Sequence, residues 1–332
     1  MAKAIKKIII VGGGTAGWLT AAIIASHHKS QTGNDLTIML VESSDIPTVG
    51  VGEGTWPTMK NTLQQIGLSE NEVFKACHAT FKQGGKFVNW VHGDGDFYYH
   101  PFTVPLGYGR IDLAPYIDNI KDYAEHTNFQ HAICESGLAP RSMAESEYQG
   151  SCNYAYHLDA GAFADLLKQH CKTKLAVEHV IGTVEQAHVD SQGNISHISL
   201  ADQGSIDGDL FIDCSGFASL LLGKTLNVPF VKLDHVLFNS PIASHTIATA
   251  QDSGWIWDIG LTHRRGVGHV YSSRYMSDEQ AEANLRRYIG PQAEGLSVKK
   301  ISYQSGHRER YWQNNCVAVG MAAGFVEPLR LC

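Results

Sequence analysis

The sequence predicts an α/β fold built on a doubly wound, largely parallel sheet, and three observations carry that prediction. First, "KKIIIVGGGTAGWLTAAIIASHH" joins an apolar β-branched run at 8–11 to a glycine turn and then to residues of high helix propensity. A second apolar strand, "LTIMLVE", closes on Glu42, and strand, glycine turn, helix and strand within about thirty residues make a βαβ unit. Second, the chain returns twice to strand-plus-glycine segments, in "LFIDCSG" and "CVAVGMAAG". Third, the stretches between break into short alternating strands instead of further βαβ units. A chain of 332 residues with 43% apolar content has material for a large core.

Each element has a local cause. In "GVGEGTWPTMKNTLQQIGL", Pro57 suits a first helical turn, Met59, Leu63 and Ile66 share one helical face, and Gly67 offers a stop. Ser69 with Glu72 is a capping box for a second helix with Val73, Phe74 and Cys77 on its apolar side. That helix should end before Lys82, because "KFVNW" alternates as a strand, with Phe87 and Asn89 on one face and Val88 and Trp90 on the other. Residues 91–150, rich in Gly, Tyr, Pro and His, predict irregular chain wrapped on the sheet. "LDAGAFADLLKQHC" reads as a helix capped by Asp159, with Phe163, Leu166 and Leu167 buried. From 183 to 214 the pattern is short strands, with "DSQGN" a hairpin turn before "ISHISL". "GWIWDIGL" and "GVGHVYSS" form two strands linked by "THRRG", with Trp255 and Trp257 on one face and Ile256 opposite. Ser277 and Gln280 box the start of a helix that Gly290 closes, and strand-type sequence resumes at Val298. Residues 317–320 read as a last buried strand before a glycine turn.

The first glycine turn carries chemistry. Gly12, Gly14 and Gly17 fit GxGxxG around Thr15 and Ala16: the first glycine permits the turn, the second lets backbone approach a pyrophosphate, and the third lets helix and strand pack closely. The helix N-terminus supplies N–H donors for phosphate, and Glu42 stands where a ribose hydroxyl would be held. A nicotinamide enzyme would run on through more βαβ units; a sheet that returns to glycine segments around Asp213, Gly216 and Gly320 favours FAD. "VGVGEGTWP", with Val51, Gly52 and Glu53 at its centre, offers little side chain to pack and suits backbone lying against a ligand. By itself, Lys82 reads as a solvated residue beyond a helix end, and Trp255 with Trp257 as a packed sheet face.

Composition excludes other classes. The formal net charge is −7 and the 26 Lys and Arg are scattered, so neither nucleic acid nor an anionic membrane is an expected partner. No apolar run is long enough to span a bilayer, and the N-terminus does not resemble a signal peptide, which predicts a cytoplasmic protein. The seven cysteines contain no CxxC pair and read as free thiols. The 17 histidines form no spacing that pairs with a carboxylate for a metal, and no GxSxG marks a serine hydrolase.

Taken together, "GGGTAGW", "GVGEGTWP", "FKQGGKFVNW", "YHLDAGAFADLLKQHC", "FIDCSGF", "GWIWDIGL" and "GMAAGFVEPL" resemble the flavin-dependent halogenases of the tryptophan halogenase family along the whole chain. The resemblance implies a Rossmann-like sheet of the glutathione-reductase type, with an inserted β-rich substrate-side region. It makes 1–332 one module, with 1–90, 150–225 and 314–332 as the FAD-binding core and 91–149 and 226–313 as substrate-side insertions. It further implies halogenation of an electron-rich aromatic such as tryptophan or indole. Reduced FAD from a separate NAD(P)H-dependent flavin reductase, oxygen and a chloride or bromide ion would generate a hypohalous acid that reaches the substrate beside a lysine. On this resemblance Lys82 becomes the catalytic candidate, Gly12, Gly14, Thr15, Ala16, Gly17, Glu42, Val51, Gly52, Glu53, Asp213, Gly216, Gly320 and Phe325 the cofactor contacts, and Trp255, Trp257, Glu327 and Pro328 the substrate or tunnel residues.

The chain also departs from the pattern. Where the family has a glutamate facing the lysine after "PL", Arg330, Leu331 and Cys332 stand instead. Asn239 joins Ser240 directly where relatives carry another stretch of strand, which predicts unpaired sheet groups beside the junction, and Gly260 replaces the proline of WxWxIP. The chain thus reads as a shortened halogenase without the C-terminal helical part. The alternatives are an FAD-binding monooxygenase or oxidase, and an inactive fragment.

Overall fold

In the run 7–11 every residue after Lys7 is apolar and β-branched, and side chains alternate across a strand, so Ile8 and Ile10 face one side while Ile9 and Val11 face the other. All four are buried, in two separate clusters, which places this strand at the centre of a sheet covered on both faces. The computed structural model describes residues 4–31, 36–46, 52–113, 115, 123–201, 203–233 and 245–326. Its central sheet has the order Trp312–Gln313, Cys316–Ala318, Leu210–Asp213, Lys7–Val11, Thr37–Glu42, Glu178–Ile181. The last five are parallel and the first is an antiparallel edge. The chain moves outward in both directions from Lys7–Val11, which makes the sheet doubly wound with its switch point between Lys7–Val11 and Leu210–Asp213.

One face is covered by helices Thr15–Gln31 and Ala160–Lys174 through Trp18, Ala21, Ala22, Phe163 and Leu167. The other is covered by the meander Val184–Val189, Ile195–Leu200 and Gly204–Asp207 and by the turn Leu220–Thr225. Each fully buried Ile or Leu here contributes about 1.5–3 kcal/mol relative to exposure. Two caps are as expected: Asp159 accepts from Ala162 N at 3.1 Å, and Ser277 with Gln280 forms a reciprocal box. At the third, Ser69 accepts from Glu72 N, but the acid beside it is Glu147, which accepts from Ser69 Oγ and Asn71 N.

Two further sheets build the other side. Gly52–Gly54, Ala155–Asp159 and Thr80–Lys82 form a small antiparallel sheet with Ala155–Asp159 in the middle. Arg265–Tyr271, Gly254–Gly260, His245–Gln251, Gly84–Val88 and Phe97–Pro101 form a five-stranded one. His245–Gln251 is paired on both flanks, so the unpaired groups expected after the Asn239–Ser240 junction are not found along it; the junction itself lies outside the described residues.

Three expectations need correction. Residues 91–150, expected to be irregular, carry strand Phe97–Pro101 of the five-stranded sheet and helices Tyr123–Thr127 and Gln130–Glu135. From Val298 to Ser305 the chain forms no regular strand, and the strand of this stretch is Gly306–Arg308, which pairs with Phe230–Lys232 and Gly324–Phe325. Strand-type sequence does not by itself supply the aligned edge that a strand needs. The strand of "KFVNW" stops at Val88 because Asn89 turns to a φ of 64°, a left-handed conformation that asparagine tolerates.

Candidate active site

A cleft of about 2250 Å³ opens at the switch point, between the central sheet and the five-stranded one. Its floor is the turn 12–16. Gly12 has a φ of +118°, and a Cβ there would lie 2.2 Å from the carbonyl oxygen of Cys214, so only glycine lets the first strand turn beside the end of Leu210–Asp213. A Cβ on Gly17 would lie 1.9 Å from Gly12 O, which is the close helix packing the motif demands. Helix Thr15–Gln31 aims its N-terminus at the cleft with no acidic residue in its first turn. The hydroxyl of Thr15 is buried there without a hydrogen-bond partner. A buried hydroxyl lacking a partner beside free helix N–H groups has the donor chemistry that a pyrophosphate satisfies. The residues present therefore fit a dinucleotide.

Glu42 lies against this turn: a Cβ on Gly13 would be 1.5 Å from Glu42 Oε2. Its Oε1 accepts from Lys168 Nζ at 2.6 Å and lies 2.8 Å from His179 Nε2, which leaves Oε2 toward the cleft. Burial holds the His179 imidazole below its ordinary titration range despite the carboxylate beside it. Neither partner has a local sequence signal, since both are more than a hundred residues from Glu42.

Glu53, Gly216, Gly320 and Phe325 also line the cleft. Burial, with Asp159 second, pushes the Glu53 carboxyl up from the usual range. Asp213 stands apart from this group. It is fully buried and its carboxylate accepts from Ser215 N and Oγ and from Leu221 N and Leu222 N, the last two at 2.8 Å. Its geometry is that of an anchor for the segment carrying Gly216.

Lys82 is in strand Thr80–Lys82, 1% exposed, and Nζ has no hydrogen-bond partner among the described residues. The solvated placement that its position alone suggests is overturned by what packs on it. Gly54 lies behind the amine, where a Cβ would sit 3.1 Å from Nζ, and the rings of Trp56 and Phe102 each lie 5.4 Å from it in front. Burial lowers the amine from its ordinary 10.5 to about 8. Gly54 also lines the cleft, so the glycine strand is the partition between cleft and amine. Trp56 lies inside "VGVGEGTWP", where glycines draw attention to the backbone, and Phe102 in a stretch with no periodicity.

A second buried knot braces this partition. Glu70, 1% exposed, accepts from Tyr154 and Tyr156 hydroxyls at 2.7 Å each and from Tyr148 N, and pairs with Arg141. It ties helix Glu70–Ala76 to the strand that carries Tyr156 and pairs with Lys82's own.

Of the tryptophan pair, Trp257 lines the cleft, packed over Gly268. Trp255 is fully buried against Trp90 and Val270. Their shared strand face therefore ends in two environments. Val51, Glu327 and Pro328 lie outside the described residues. No group of three or more His, Cys, Asp or Glu among the described residues is placed to hold a metal ion, and no described helix is long and apolar enough to cross a membrane.

The tryptophan halogenase family model matches residues 7–331. The chain belongs to the tryptophan halogenase family. Among curated members of that family, it is 38% identical to the 7-chloro-L-tryptophan 6-halogenase KtzR of Kutzneria sp. (strain 744), over 97% of this chain and 69% of that one. The alignment runs over 364 positions against a chain of 332, so this relative carries inserted residues within the matched range. The crystal structure of a tryptophan halogenase from Shewanella frigidimarina NCIMB 400 superposes with a TM-score of 0.91 at 44% identity, covering 98% of this chain and 68% of that one. BrvH, a flavin-dependent halogenase from Brevundimonas sp. BAL3, gives 0.83 at 32% identity over 98% and 68% of the two chains. This family member thus spans about two thirds of those relatives' length.

Proposed function

We propose that this chain halogenates an electron-rich aromatic such as tryptophan or indole, with FAD in the cleft and Lys82 as the working amine. The observation that carries this reading is the placement of a buried amine, with no hydrogen-bond partner among the described residues, directly across the Gly54 partition from a cleft lined by the glycine turn 12–16. Gly12, Gly14, Thr15, Ala16 and Glu42 would hold FAD, with Gly17 allowing the close packing beneath them. Held there in its reduced form, supplied by a separate NAD(P)H-dependent flavin reductase, FAD would supply the electrons that activate oxygen, and oxygen would be the two-electron oxidant of chloride or bromide. The chain's own residues do the rest. The partition keeps flavin and substrate apart, and Trp257 walls the cleft. Lys82 holds the oxidant: as ammonium it donates hydrogen bonds, and as free amine, above about pH 8, it presents a lone pair to a halogen.

The test supplies reduced FAD, oxygen, bromide and indole to the purified chain. Haloindole forms with the native chain and is reduced at least about a hundredfold in Lys82→Ala, a loss typical of a group that acts in the transition state, while FAD binding is retained. Haloindole from Lys82→Ala at the native rate would remove the lysine from the mechanism. Hydroxyindole in place of haloindole would assign a monooxygenase instead.

A further inference from the structure

We propose that Trp56 is a size-selecting lid over Lys82, admitting indole-sized rings to the amine and excluding tricyclic ones. The substrate class here rests on the halogenation reading above; the lid rests only on the packing around Nζ. Lys82 is 1% exposed, while Trp56, whose ring is 5.4 Å from Nζ, is 51% exposed. The indole at 56 therefore has one side on the amine and the other in water. The opposite wall is Phe102, whose ring is 5.5 Å from that of Trp56 at 45°, an angle that leaves the two rings unstacked.

The two walls differ in how they are held. Phe102 N donates to Gln83 O at 3.1 Å and Phe102 O accepts from Asn153 Nδ2 at 3.2 Å. Gln130, fully buried, braces the same loop through Thr103 N and Asn153 O. Both backbone groups of Phe102 are thus engaged, in a network centred on the buried Gln130 amide. Trp56 instead begins the turn into helix Thr58–Ile66, with its carbonyl accepting from Met59 N, and its ring faces solvent. Behind Nζ, Gly54 is backbone and part of a paired strand. Among the described groups placed here around the amine, Gly54, Phe102 and Trp56, Trp56 is the one whose displacement opens Nζ to solvent without breaking a sheet or the hydrogen bonds centred on Gln130. Its ring size then sets how large an aromatic can approach.

Amine labelling tests the lid without reference to halogenation. The native chain, Trp56→Phe, Trp56→Leu and Trp56→Ala are treated with trinitrobenzenesulfonate near the amine's midpoint of about 8. Label on Lys82 is then read by peptide mass spectrometry relative to exposed Lys75. The proposal expects labelling to rise at least about tenfold in Trp56→Leu and Trp56→Ala and to stay within about threefold in Trp56→Phe, since access tracks the open population. Labelling within about twofold of native in both small variants, with native circular dichroism, overturns the lid. The same chains are then compared on indole and a tricyclic arene. A shift of kcat/KM toward the tricycle by about tenfold or more in Trp56→Ala supports size selection, and an unchanged ratio overturns it even where labelling rises. Faster labelling with no halogenated product from any chain supports the lid and overturns the halogenation reading instead.

Discussion

Lys82 shows how a single residue's chemistry is set by distant packing. An amine under two rings with glycine behind it has lost its water, and burial alone brings it from 10.5 to about 8. The folded value lies below the unfolded one, so the cost is fully present below pH 8, where both states carry the charge, and disappears as pH rises toward 10.5. A gap of this size corresponds to roughly 3 kcal/mol. Lys82→Met, which keeps the stem and removes the charge, should therefore stabilise the protein at pH 7 by up to about that amount. The gain should shrink steadily as the pH approaches 10.5, as read from urea midpoints at several pH values. A Met variant no more stable than native at pH 7 would show that the amine is solvated in the folded chain. Position in the sequence could not reveal any of this. The motif around Lys82 marks it only through family resemblance, and its burial depends on Gly54, Trp56 and Phe102, none of them adjacent.

At the level of elements, local signals worked wherever the cause of an element is local. Helix Ala160–Lys174 starts at Asp159 because that carboxylate satisfies a first-turn N–H, and "DSQGN" turns because Asp190 accepts from Gln192 N and Asn194 N. The segment after Val298 failed for the converse reason: a strand needs a partner edge, which alternation does not supply. The glycine turn at 12–17 was legible because its geometry leaves no alternative residue at Gly12. Gly14, the position where backbone must meet phosphate, gives the sharpest test of that element. Gly14→Val should abolish FAD binding, measured as visible flavin retained after gel filtration, while the fold persists by circular dichroism. Native flavin content in that variant would place the dinucleotide away from the helix N-terminus. Asp213, also glycine-flanked in sequence, is a caution against extending this logic: its carboxylate is consumed by four donors of its own chain, which sequence spacing does not reveal.

Across the whole molecule, the doubly wound order follows from an early βαβ unit and two returns to the same sheet, both visible in the sequence. How the five-stranded sheet is assembled is not visible there, because its strands are joined by pairings between residues such as Ile247 and Lys86, far apart in the chain. The cleft is the product of this arrangement, and its lining comes from both layers: the turn 12–16 and Gly320 on one side, Trp257 and the strand Arg265–Tyr271 on the other. A ligand filling it would therefore touch both layers and bind the folded chain alone. At a hundredfold excess over Kd, FAD should stabilise the native state by about 2.7 kcal/mol, enough for a rise of several degrees in Tm for a chain of this size. The rise should scale with the logarithm of FAD concentration and be absent in Gly14→Val. Differential scanning calorimetry on both chains measures it. Flavin retained at unit stoichiometry with no change in Tm would mean that FAD binds the unfolded chain as tightly as the folded one, and the cleft would then have to be assigned to something else.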